Sequence, residues 1–380
     1  MIENTKYFSK KIGDLPKGCK QCVLGKKTVI FITGICPRNC FYCPISSSRK
    51  NTDVIFINEV PLESETDFNT IFEESESHNS TGAGITGGDP LSKLNRTVKF
   101  IEKLKEHFGK DYHIHLYTSL DLVNHESLKK LYDAGLDEIR FHLDLYSKKL
   151  WDKLSLAKEF SWDIGVEIPV VPDTEKKTKD LIDFINDKVM FLNLNELEFS
   201  ETNESELVFR GYDVKNNYSY AVKRSSDTAL RLMKYVEKKK YNLRVHFCTA
   251  QLKDGVQLLN RMRLKAENLK LDTDIKTKSG TLIRGCIFLK ELSPKKLKTT
   301  EILGNQDPKI IEQLKDAKSN LESNFKEKIH LDTRKKRLLV SAKKLTMLYE
   351  NQKLPTLYDY VIIEEYPTFD AIELDLNFLN

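Results

Sequence analysis

Short apolar runs with polar residues at alternate positions recur along the first 250 residues. They are "KTVIFIT" (27–33), "GAGITGG" (82–88), "HIHLYTS" (113–119), "EIRFHLD" (138–144), "DIGVEIPVV" (163–171), "FLNLNELEF" (191–199) and "LRVHFC" (243–248). A period of two, with β-branched and aromatic residues, predicts strands. Between them, "RTVKFIEKLKEHFG" (96–109), "ESLKKLYDAG" (126–135) and "KDLIDFINDKV" (179–189) place apolar residues three and four apart, which predicts amphipathic helices. Such βα alternation predicts a parallel sheet, and six or seven strands predict an incomplete parallel (β/α)6-type barrel.

The rhythm changes after about residue 270. A hairpin is predicted around "KSGT" (278–281), then two charged helices (308–328 and 334–353), then the strand-like "YVIIEEYP" and "AIELDLNFL". This is an α+β appendix. The expected division is an N-terminal segment 1–26, a barrel 27–270 and a C-terminal α+β domain 271–380.

The chain has 380 residues, 40% apolar and 31% charged, with no apolar run near the ~18 residues of a membrane span. The charged start "MIENTKYFSKKIGDLPKG" lacks the apolar centre of a secretion signal, so no export and no membrane partner are expected. Seven cysteines, five of them between 19 and 43, fit a disulfide framework poorly and fit metal-bound thiolates in a reducing cytoplasm better. The net charge of +5 is too balanced to imply a polyanion partner. Its distribution is uneven: 15 Lys/Arg face 8 Asp/Glu from 289 to 346, including "TRKKR" (333–337), and 1 Lys faces 7 acids beyond.

The candidate chemistry begins at "GICPRNCFYCP" (34–44), where Cys36, Cys40 and Cys43 directly follow the first barrel strand. Thiolates hold zinc or iron-sulfur clusters. Structural zinc normally takes four protein ligands, whereas three thiols on one loop can bind three irons of a [4Fe-4S] cube and leave the fourth open. The Cys-x3-Cys-x2-Cys spacing after a first strand, with Tyr42 before the third cysteine, resembles the radical S-adenosylmethionine (radical SAM) superfamily. That resemblance implies that the open iron chelates S-adenosylmethionine, that an electron donor such as a ferredoxin or flavodoxin reduces the cluster, and that cleavage to methionine yields a 5′-deoxyadenosyl radical that abstracts a substrate hydrogen. The phrases "GCKQC", "GITGGDPL", "HIHLYT", "LDEIRFH" and "NLNELEFSETN" resemble a largely archaeal branch, loosely related to glycyl-radical activases, that brings no substrate with it.

Other candidates follow from strand phase and from that resemblance. "ITGGDPL" places Gly87, Gly88 and Asp89 where the superfamily has a Gly-Gly-Glu-type turn for the amino end of S-adenosylmethionine. Alternation turns Arg140, His142 and Asp144 inward, and likewise Gly165, Glu167 and Pro169. The resemblance puts His142 and Asp144 near the ribose and Glu167 near the adenosine, with a buried salt bridge the competing reading for Glu167. Thr118 and Ser119, ending the third strand, are weaker cofactor candidates or a helix cap. Asn193, Asn195, Glu196 and Glu198 crowd a strand end and are read as substrate residues, against a solvated loop and cap.

Cys19 and Cys22 in "CKQC", with His246 and Cys248 on one face of "LRVHFC", make a possible second metal site, zinc or iron-sulfur; Cys286 reads as an apolar core residue. The substrate class stays open among small molecule, peptide or protein (including glycyl-radical activation) and RNA, the last prompted by the basic stretch. A non-catalytic iron-sulfur or zinc scaffold is the alternative from another class.

Overall fold

All seven apolar runs of the first 250 residues become strands in the computed structural model, which describes residues 1–296 and 308–379. The chain divides into compact units Met1–Arg261 and Met262–Asn380. In chain order the strands of the first unit are β1 (Ile2–Asn4), β2 (Lys10–Ile12), β3 (Lys27–Phe31), β4 (Ile55–Ile57), β5 (Val60–Leu62), β6 (Gly82–Thr86), β7 (His113–Ser119), β8 (Glu138–His142), β9 (Asp163–Val170), β10 (Phe191–Glu196), β11 (Val214–Asn216), β12 (Ser219–Val222) and β13 (Arg244–Cys248). The large sheet runs β1-β2-β13-β10-β9-β8-β7-β6-β3-β4-β5, and its seven central strands are parallel. Antiparallel β2 covers the β13 edge and β4 the β3 edge, so the parallel stretch is open, as in an incomplete barrel.

The registers fix which side chains share a level. Tyr117, Arg140, Gly165 and Phe191 lie at one level, Glu167, Asn193 and His246 at the next, and Pro169, Asn195 and Cys248 beyond. The opposite face carries Phe141, Val166, Leu192 and Val245, all in the main apolar core. The strand phase inferred from alternation therefore holds. Helix Leu94–Phe108 buries Thr97, Phe100, Ile101 and Leu104, spaced three, one and three apart, against that core. Each large apolar side chain so buried contributes about 1.5–3 kcal/mol. Gly109 ends the helix at φ 87, a conformation that favours glycine. Helix His125–Asp133 starts from a capping box between Asn124 and Ser127.

Residues 1–26 cluster with this unit. β2 pairs with β13, and α1 (Lys17–Val23) buries Gly18, Cys19 and Val23.

The second unit is a six-stranded antiparallel sheet, β14 (Ile275–Lys276), β15 (Leu282–Leu289), β16 (His330–Asp332), β17 (Arg337–Val340), β18 (Tyr358–Glu365) and β19 (Glu373–Phe378), ordered β16-β17-β15-β18-β19 with β14 on β15. Alternation splits β15 between two cores: Cys286 and Phe288 face one, Ile287 and Leu289 the other. Helix Pro308–Phe325 buries Ile310, Leu314, Ala317, Leu321 and Phe325. The expected helix 334–353 is corrected: β17 occupies its first part and the helix is Ala342–Glu350. The basic "TRKKR" lies at the β16–β17 turn. There Arg337 is fully buried against Asp332 (2.9 Å) and Glu365 (2.6 Å), while Lys335 pairs with Glu365 (3.5 Å) and Glu373 (2.6 Å). These cations serve the interior.

Candidate active site

The three-cysteine loop leaves the end of β3 and folds over the carboxyl ends of the parallel strands, the face on which barrel sites are built. Cys36, Cys40 and Cys43 are free thiols, all half-buried. Burial pushes the Cys36 thiol up to about 11, against the backbone N–H of Arg38, which donates to its sulfur at 3.4 Å. Burial also raises Cys40, opposed by the Arg38 charge and a hydrogen bond from Tyr42. Binding metal at these groups releases their protons. The donor set fits a cluster with one open iron: each thiolate takes a different iron, so the sulfurs need not crowd around one ion. Among the described residues no three His, Cys, Asp or Glu side chains already stand as ligands of a single ion.

Two clasps hold this loop. The Gly87-Gly88 turn lies along it, with Gly88 N–H donating to the Thr33 carbonyl at 2.7 Å and Asp89 N–H to that of Ile35 at 2.9 Å. A Cβ on Gly88 would stand 2.4 Å from the Ile35 oxygen and 2.7 Å from that of Gly34, so only glycine admits this approach. On the other side the Thr202 hydroxyl donates to the carbonyls of Cys43 (3.0 Å) and Ile45 (2.6 Å), and the Asn203 amide to that of Tyr42 (3.3 Å). Neither Thr202 nor Asn203 is evident as a clasp from sequence, because "SETNE" reads equally as a helix start.

Asp89 is 1% exposed, and both its oxygens are committed. They accept from Leu91 N–H (3.1 Å), Thr118 Oγ1 (2.8 Å), Ser119 N–H (3.0 Å) and Ser119 Oγ (2.6 Å). Burial still raises its pKa against those bonds. Thr118 and Ser119 thus tie the end of β7 to the glycine turn. His142 faces inward, bonded to the Tyr42 hydroxyl at 2.9 Å, while its carbonyl accepts from Arg38 at 2.9 Å. Burial, aided by Arg38, lowers it to about 4, so the imidazole is neutral at pH 7. Asp144 is 3.5 Å from Arg38. Beside them opens a cavity of about 290 Å³ lined by Arg38, Asp121, His142, Asp144, Lys149 and Trp151. Arg38 lies within the cysteine loop but has no role legible from its spacing, and Asp121, Lys149 and Trp151 belong to no motif.

Deeper in the barrel, Glu167 accepts from Arg140 (2.8 Å) and from the amides of Asn193 and Asn195 (both 2.8 Å). Burial opposes its charge, yet Arg140 and the two amides together hold the carboxyl below its usual range. Arg140 also meets Glu138 and the Tyr117 hydroxyl (3.0 Å). The structure thus brings Glu167, Asn193 and Asn195 into one network. Glu196 stands apart from it, accepting from Lys215 (3.0 Å), Ser226 and Ala250 N–H (3.0 Å), and Glu198 pairs with Lys253. Of the second thiol set, Cys19 accepts from Asn193 at 3.3 Å, and Cys248 packs with Val23 of α1.

The chain matches the family model described as the radical SAM superfamily over residues 30–185. It is 39% identical over 385 residues to a Methanocaldococcus jannaschii protein provisionally named a glycyl-radical enzyme activating enzyme, covering 98% of this chain and 95% of that one. It is 25% identical over 230 residues to a Methanococcus aeolicus protein provisionally named GTP 3′,8-cyclase, covering 57% and 72%. Among solved structures, methylornithine synthase is similar at 15% identity and TM-score 0.38, over 59% of this chain and 71% of that one.

Proposed function

Because the chain belongs to the radical SAM superfamily, a family of enzymes, we propose that it holds a [4Fe-4S] cluster on Cys36, Cys40 and Cys43 and acts on a polypeptide. Cluster and S-adenosylmethionine together supply a 5′-deoxyadenosyl radical that removes a substrate hydrogen. The observation that carries this reading is the loop of three half-buried thiols clasped to the glycine turn at the strand ends. In it Asp89 is a positioning residue, since its carboxylate holds the turn and the Thr118 and Ser119 hydroxyls of β7. The cavity beside Arg38, His142 and Asp144 receives the nucleoside, and neutral His142, fixed by Tyr42, offers hydrogen bonds without adding charge. Glu167 keeps Asn193 and Asn195 turned inward toward the substrate. The site requires a one-electron reductant and suits a reducing cytoplasm; among the described residues no helix is long and apolar enough to cross a membrane.

The polypeptide assignment rests on two supports. The similar M. jannaschii protein carries a name that implies a protein substrate. The segment 204–222, which ends in β11 and β12 and whose Tyr212 and Val222 pack with Tyr42, exposes Phe209 (88%), Tyr218 (99%) and Tyr220 (73%), aromatic side chains suited to a protein surface. The buried cations of "TRKKR" weigh against RNA. Anaerobic reconstitution tests the core claim: about four irons per cluster, and formation of 5′-deoxyadenosine that the triple cysteine-to-alanine variant abolishes. A triple variant that kept iron and product would overturn it. Cleavage stimulated by a small metabolite and by no polypeptide fraction would overturn the substrate class alone.

A further inference from the structure

Four donors outside the cluster loop sit on α1 and β13 of the first unit. Cys19 and Cys22 lie three residues apart on α1 and so share one side of that helix. His246 and Cys248 share the inward face of β13, beside Asn193 and Asn195 of β10 in parallel register. The Cys19 sulfur is 3.3 Å from the Asn193 amide, and Asn193 is the direct neighbour of His246. Cys248 packs against Val23 at the end of α1. Cys19 and Cys248 are both buried.

His246 supplies the second, independent observation. Its ring is 2% exposed, and neither Nδ1 nor Nε2 has a hydrogen-bond partner. A neutral imidazole carries one donor and one acceptor, and leaving both unmet in the interior costs several kilocalories unless something fills the site. The neighbouring Asn193 Oδ1 is also buried and unpartnered. A metal-bound histidine normally donates its other N–H to such an oxygen, so one ion would satisfy His246 directly and Asn193 through it.

We propose that Cys19, Cys22, His246 and Cys248 bind one thiolate-seeking divalent ion of the zinc class. Three thiolates and one neutral imidazole suit a tetrahedral site. Binding releases three thiol protons, and the net −1 charge of ion and ligands lies by Arg140, whose guanidinium is 3.6 Å from Cys19. The donors do not already stand at single-ion spacing, so closure needs changes of cysteine rotamer.

The test uses the full chain with Cys36, Cys40 and Cys43 changed to alanine, purified anaerobically. About one zinc or iron per chain should remain, without inorganic sulfide, and cobalt substitution should give thiolate-to-cobalt charge-transfer absorption. Adding Cys248→Ser or His246→Gln should abolish that absorption or cut metal affinity by more than tenfold. In the unmutated chain, Cys19, Cys22 and Cys248 should resist alkylation until a chelator is added, a readout independent of any variant's folding. A folded chain that takes up no zinc, iron or cobalt at this set, or alkylation indifferent to chelator, would overturn the proposal. Iron accompanied by sulfide in the triad variant would overturn the single-ion assignment.

Discussion

At the scale of single residues, the carboxylates decide what the site can do, and their partners distinguish structural from chemical acids. Asp89→Ala removes an acceptor for four hydrogen bonds, so the variant should lose about 3 kcal/mol of stability in urea denaturation, the cost of leaving buried donors unmet. Its affinity for S-adenosylmethionine should fall as well, because the glycine turn loses its tether. Cofactor affinity lost with unchanged stability would instead mark Asp89 as a direct ligand. His142 offers a pH test with a definite sign. Its pKa is lowered from 6.5 to about 4, so the unfolded chain takes up a proton that the folded chain refuses. Stability attributable to it is full above pH 6.5 and declines as pH falls toward 4. Melting measured across that window should therefore drop less steeply for His142→Gln than for the parent; equal slopes would contradict the lowered value. Which residues face the barrel interior was legible in the sequence, because Arg140, Glu167 and Asn193 obey a period of two. Their saturation was not legible. Asp89 is satisfied by Thr118 and Ser119, and Glu196 by Lys215, Ser226 and Ala250, partners that no local pattern announces.

Among the elements, the cluster loop depends on neighbours far away in sequence. Gly88→Ala would drive a Cβ into the Ile35 and Gly34 carbonyls, which are backbone and cannot swing aside. The turn must part from the loop, and iron uptake on reconstitution should fall severalfold while far-ultraviolet circular dichroism stays near that of the parent. Thr202→Val should act more mildly. It removes a hydroxyl whose single proton is shared between two loop carbonyls, worth about 1 kcal/mol, and should hasten loss of the cluster's visible absorption in air. Strands and helices of the first unit were legible because packing and propensity agree there. The second unit misled at 334–341, where a run of four basic residues followed by apolar ones mimics the start of a charged helix. Its real cause is burial: Lys335 and Arg337 answer Glu365 and Asp332, so the segment reads as hairpin only once those acids are in place.

On the scale of the whole molecule, two cores imply two meltings. Arg337 is fully buried, and Arg337→Met leaves Asp332 and Glu365 short of a cation, a change that costs about 3–5 kcal/mol in buried ion pairs. Calorimetry should show the transition of unit Met262–Asn380 shifted down while that of Met1–Arg261 stays in place; a common shift would mean that the chain unfolds as one body. The first unit carries a further consequence in its own sheet. Ile12 of β2 lies in register with Val245 of β13, so one of the first strands made can dock only against one of the last in that unit. A ribosome adding 5–20 residues per second needs roughly 10 to 50 s to cover that interval. Through that time α1, with its two thiols, has no β13 to pack against, and the nascent chain exposes an unfinished sheet edge to chaperones and to oxidants.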